Sequence, residues 1–187
     1  MLDTFDCMVD GIHEVVVRHA IRLSCFSLFI GYCVNINVSG IKCPLKIKYF
    51  ERATVFFANQ LLDPRTVRNL VVDVEIRSKL SVQGECVDEE GTRNPRFFTI
   101  ALRSQRNVEN MIKTLAHEMV HVKQHAKNEL QTGFVVPSRG GLQVFSKWQG
   151  TVWRPKSKED PYFDAPWEIE AYGREVGLYH KWVKYAG

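Results

Sequence analysis

The stretch Lys113–Leu130, KTLAHEMVHVKQHAKNEL, contains His117-Glu118-Met119-Val120-His121, an H-E-x-x-H pattern. Residues four apart on a helix share a face, with Cβ atoms about 5–6 Å apart. His117 and His121 can therefore offer two imidazole nitrogens to one metal ion. Glu118 lies one step round the helix, about 100° away. It is too far off that face to be the third ligand, but it is placed to take a proton from an attacking water. The uncharged neighbours Leu115, Ala116, Met119, Val120 and Val122 let the helix lie buried beneath a cleft. A buried His-Glu-His set without a metal would carry costly unpaired polar groups. The nearest look-alike, HEVVVRH at 13–19, has its second histidine six positions on and fails the geometry.

The rest of the chain must supply a fold around that helix. Its 187 residues suffice for one domain with a real core, and 45% hydrophobic with 25% charged residues is an ordinary globular balance. The formal net charge of +4 permits an acidic partner without arguing for one. The cysteines, Cys7, Cys25, Cys33, Cys43 and Cys86, are odd in number and include no C-x-x-C pair. Reduced thiols and a cytoplasmic location are the simplest reading. The most apolar run, Ala20–Val38, is interrupted by Arg22, Asn35 and Asn37 and preceded by acidic residues. It is read as N-terminal structure, not as a membrane span or signal peptide.

Residues 1–43 differ in character from the remainder of the chain and are expected to form an N-terminal extension; the main domain is expected over 44–187. Apolar spacing predicts a helix over 49–62, stopped by Asp63-Pro64. NLVVDVEIRSKL (69–80) and RFFTIALRS (96–104) read as strands, with Phe98, Ile100 and Leu102 on one face. Residues 84–95 read as a turn-rich connector. A helix is predicted from Val108 to about Asn128, capped by Ser104 or Asn107. Gly133 and residues 137–141 mark a loop, 143–155 a short aromatic hairpin, and 156–166 an irregular stretch. The final helix runs over 166–185 with Pro166 in its first turn. The expected class is α+β, a small mixed sheet packed on the H-E-x-x-H helix and the C-terminal helix.

Catalytic zinc takes three protein ligands. Downstream candidates are His125, Glu129, Glu159, Asp160, Asp164, Glu168, Glu170, Glu175 and His180. His125 is disfavoured, because a straight helix cannot wrap three successive turns around one tetrahedral ion. Glu168 and Glu170 stand in the first turn of the last helix, in the apolar setting PWEIEA. Two residues apart means about 200° of rotation, so only one of them can be the ligand.

His117-Glu118-x-x-His121, followed by a glutamate on a second helix, resembles the gluzincin branch of the zincin metallopeptidases. There the third ligand opens a Glu-x-x-x-(Asp/Asn) pattern with Ala before its last position. Laid on this chain, the pattern starts at Glu168, has Ala171 in the Ala place and departs at Tyr172. The order strand, H-E-x-x-H helix, aromatic loop, final helix also resembles the small SprT-like metallopeptidases, many of them phage-encoded, over roughly 49–185. Many of those use a third histidine in a Gly-His context; this chain has none, which favours glutamate.

The resemblance implies a zincin-like fold, one Zn2+ held by His117, His121 and Glu168, and peptide-bond hydrolysis by zinc-activated water with Glu118 as general base. The partner would be a protein or peptide substrate, in host cytoplasm if the chain is phage-encoded. It also implies that the strand before the active-site helix, RFFTIALRS, pairs with the substrate. Tyr162, Tyr172, Tyr179 and His180 are candidate oxyanion donors. The alternative is a non-proteolytic metal-binding or DNA-associated module, with Lys123, Lys127, Arg154, Lys156 and Lys158 tracking phosphates.

Overall fold

The computed structural model describes residues 34–135, 143–154 and 162–187. Among these, the first unit is β1 (Asn35–Ser39), α1 (Pro44–Leu61), a short α2 (Pro64–Arg68) and β2 (Val71–Arg77). β1 and β2 pair in parallel, Val38 opposite Val74, so α1 is the crossover of a β-α-β unit. Val34 and Val38 are buried in the core. The sheet thus takes in, as its edge strand, residues expected to belong to the N-terminal extension. HEVVVRH and residues 20–33 lie outside the described residues.

β3 (Gly84–Asp88) and β4 (Phe97–Arg103) complete a mixed sheet in the order β1-β2-β4-β3. β4 is parallel to β2, and β3 runs antiparallel to β4. The expected connector at 84–95 therefore begins with a strand. Strand alternation holds: Val72, Val74 and Ile76 of β2, with Phe98, Ile100 and Leu102 of β4, are buried on the helix-covered face. β4 is interior, between β2 and β3, and cannot be the strand that pairs with a substrate. The edge on that side of the sheet is β3.

α3 (Val108–Ala126) packs on β3 and β4 and carries H-E-x-x-H. Its cap is Asn107, whose side chain accepts from Glu109 N at 2.8 Å and Asn110 N at 3.4 Å. It stops in a Schellman turn: Asn128, at φ 59°, lets its N–H reach His125 O and the Glu129 N–H reach Gln124 O. That turn swings the chain into a second, antiparallel sheet of β5 (Leu130–Val135), β6 (Gln143–Trp148) and β7 (Thr151–Val152). The β6–β7 hairpin forms as expected, through Gln149 and Gly150, both at positive φ. Gly133, expected in a loop, is a β5 residue instead; a Cβ there would stand 2.8 Å from the Phe145 ring.

α4 (Pro166–Ala186) closes the unit, starting at Pro166 as expected. Its Trp182 is fully buried, packs among Phe56, Phe57 and Tyr49, and donates to Tyr49 Oη at 3.0 Å. This anchors the far end of α4 on α1 and lays its first turns along α3. The architecture is α+β. No helix among the described residues is long and apolar enough to cross a membrane. Cys86 is a free thiol.

Candidate metal centre

The crossing of α3 and α4 brings His117, His121 and Glu168 together, all buried, with one ligating atom of each within 4.8 Å of the others. The two Nε2 atoms are 3.2 Å apart. Glu168 Oε2 is 3.3 Å from His117 Nε2, and Oε1 is 3.5 Å from His121 Nε2. Ligands about 2.0–2.1 Å from a tetrahedral ion stand about 3.3 Å from one another, close to the spacing of the two imidazole nitrogens and to the approach of each to one carboxylate oxygen.

The hydrogen-bond network sets which way the lone pairs point. His117 Nδ1 lies 2.9 Å from Glu175 Oε2, and a carboxylate can only accept, so Nδ1 carries the proton. His121 Nδ1 lies 2.9 Å from Gln124 Oε1. The Gln124 amide is fixed in that sense because its Nε2 donates to Trp167 O at 2.9 Å and Glu170 Oε2 at 3.0 Å. In their neutral forms, with the proton on Nδ1, both imidazoles therefore aim Nε2 lone pairs at the same point as the Glu168 carboxylate. Glu168 Oε2 is buried without a hydrogen-bond partner. Three converging acceptors, one of them a carboxylate with an orphaned oxygen, repel one another unless a cation lies among them, and the donor set fits a divalent metal.

Burial works against protonation of His117, but Glu168, Glu118 and Glu175 outweigh it and raise its pKa. Burial also acts to raise the Glu168 pKa, yet the two imidazoles and the Tyr162 hydroxyl hold it down at about 2. Glu118 is pushed up to about 7 by burial, with the imidazoles pulling the other way. It faces a cleft of about 580 Å³ that runs from the end of β3 along α3. Gln83, Gly84, Thr114, His117, Tyr162, Tyr172 and Glu175 are among its walls.

Glu170, the rival third ligand, points away and binds Lys123 Nζ at 2.7 Å and Arg174 Nε at 2.8 Å. His125 is buried beside Phe98 and His180 is exposed; neither belongs to the cluster. Glu129 is engaged by Lys123, Asp164 is exposed outside the cluster, and Glu159 and Asp160 lie outside the described residues. Of the expected oxyanion donors, Tyr162 and Tyr172 line the cleft, whereas Tyr179 is buried against Lys113 and Glu109.

Lys123 is buried and held by Glu129 and Glu170, so it is not free to track phosphates. Lys127 and Arg154 are exposed; Lys156 and Lys158 lie outside the described residues. Sequence reasoning did not assign Gln124 and Glu175 to the histidines. Helical spacing held the signal, since Gln124 is three residues after His121 and Glu175 is two turns after Glu168. No protein-family model, curated protein or solved structure matches the chain.

Proposed function

We propose that the chain is a zinc-dependent metallopeptidase of the SprT-like, zincin type. The observation that carries this reading is the convergence of His117 Nε2, His121 Nε2 and Glu168 within 4.8 Å, beside Glu118 at a cleft. When bound there, Zn2+ supplies Lewis acidity, lowering the pKa of water and polarising a carbonyl. The residues of the chain do the rest. Glu118 takes the proton of the attacking water and passes it to the leaving amine. Tyr172 and Tyr162, on the opposite wall, are the hydroxyl donors available to a developing oxyanion. The edge strand β3, not β4, offers backbone N–H and C=O groups to an extended peptide, and Ser81–Gly84 at its start border the cleft. His117 and His121 hold their lone pairs inward because Glu175 and Gln124 fix their tautomers.

The test is hydrolysis of an unfolded protein such as casein by zinc-loaded chain, with Glu118→Gln as the control. Cleavage by the wild type and none by the variant is the expected result. Equal cleavage by both removes Glu118 from the reaction, and no cleavage by zinc-loaded wild type against a broad peptide mixture removes the peptidase reading.

A further inference from the structure

The gluzincin-like register places a carboxylate or amide at position 172, where this chain has tyrosine. In the structure the Tyr172 ring packs edge-on against the His117 imidazole, centroids 4.5 Å apart. That residue brings no carboxylate to the imidazole, yet His117 Nδ1 has one on it. Glu175 lies seven residues after Glu168, which on a helix of 3.6 residues per turn is a displacement of only about 20°. The two glutamates thus share one stripe of α4. One stands beside Nε2 at 3.3 Å and the other on Nδ1 at 2.9 Å, so α4 holds both nitrogens of a single imidazole.

We infer that Glu175 is the positioning residue for His117, fixing the imidazole with its Nε2 lone pair toward Glu168 and His121. This rests on the metal centre proposed above and adds to it the residue that sets its affinity. Glu175 does so differently from its counterpart at His121. A carboxylate on Nδ1–H makes the imidazole a stronger donor than an amide oxygen does, because the hydrogen bond is charge-assisted. The centre is therefore asymmetric: His117 is backed by a full negative charge and His121 by the neutral Gln124. Glu175 also forms part of the cleft wall and is partly exposed, so replacing it does not open a hole in the core.

The experiment compares wild type, Glu175→Ala and Glu175→Gln by three measurements. These are zinc affinity by competition with a chromophoric chelator, the visible spectrum of the cobalt-loaded chain, and thermal melting of the metal-free chain. Glu175→Ala is expected to weaken zinc binding by about 10- to 100-fold, the usual cost of losing a residue that orients a ligand. It should also shift the cobalt bands and leave metal-free melting nearly unchanged. Glu175→Gln, whose Oε1 can still accept from Nδ1 but carries no charge, should fall between wild type and Glu175→Ala in affinity. Zinc binding by Glu175→Ala within about two-fold of wild type overturns the inference, since it falls well short of that cost. So does a large fall in metal-free melting with an unchanged cobalt spectrum, which would make Glu175 a packing residue. A wild-type chain that binds no zinc fails the proposed function itself, and is recognised before any variant is compared.

Discussion

Gly84 of β3 lies directly against Glu118 of α3: a Cβ on Gly84 would stand 2.6 Å from Glu118 Oε1 and 3.0 Å from its Cγ. The edge strand and the glutamate can approach this closely only because residue 84 has no side chain. Gly84→Ala should displace the Glu118 carboxylate while leaving the three ligands in place. The expected outcome is zinc content as in wild type and casein hydrolysis reduced by about 100-fold, the scale associated with misplacing a reacting group by about 1 Å. Wild-type hydrolysis by Gly84→Ala would show that the carboxylate has room to move without consequence.

Glu118→Gln keeps the size of the side chain and removes its ability to accept a proton. Hydrolysis should fall by about 10²- to 10⁴-fold, the range of a positioned general base, with zinc retained. Metal analysis of the same sample separates a lost base from a lost metal.

Glu168 and Glu170 should separate cleanly. Glu168→Ala removes one of the three proposed ligands and should lower zinc affinity by more than the about 10- to 100-fold typical of an orienting residue. Glu170→Ala leaves the three ligands in place but takes one of two carboxylates from the buried Lys123 and one partner from Gln124. Its effect should appear in stability, at about 1–3 kcal/mol, the cost of a poorly satisfied buried polar group. Chelator competition and thermal melting on both variants check the pattern; the reverse ranking would move the ligand to Glu170.

A chain truncated to begin at Ile41 loses β1. Val72 and Val74 of β2 would lose their parallel neighbour, and Val34 and Val38 would be gone from the core. Such a chain should melt well below the full-length protein or fail to stay soluble, as unpaired edges favour aggregation. Unchanged melting and zinc content would make β1 an accessory strand.

Strong local periodicity was legible in the chain. β2, β4, α3, α4 and the aromatic hairpin all follow from apolar spacing, from Asn107 as a cap and from Pro166 at a first turn. The H-E-x-x-H geometry follows from helix pitch alone. What the residues did not disclose is non-local. GECVD shows no alternation, and its strand character comes from pairing with β4. The interior position of β4 depends on strand order, which no local pattern encodes. Lys123 is buried in part because one of its two carboxylate partners, Glu170, reaches it from 47 residues away. The contact of Glu175 with His117 is non-local in the same way, made once α4 is laid across α3.

The metal content of the purified full-length chain tests the central claim most directly. The protein, prepared without chelator and analysed by atomic emission, should carry about one zinc per chain, as expected of a mononuclear site. The metal should be lost in the double variant His117→Ala, His121→Ala, with the fold retained by circular dichroism. A folded wild-type chain that remains metal-free after incubation with excess zinc would contradict the account.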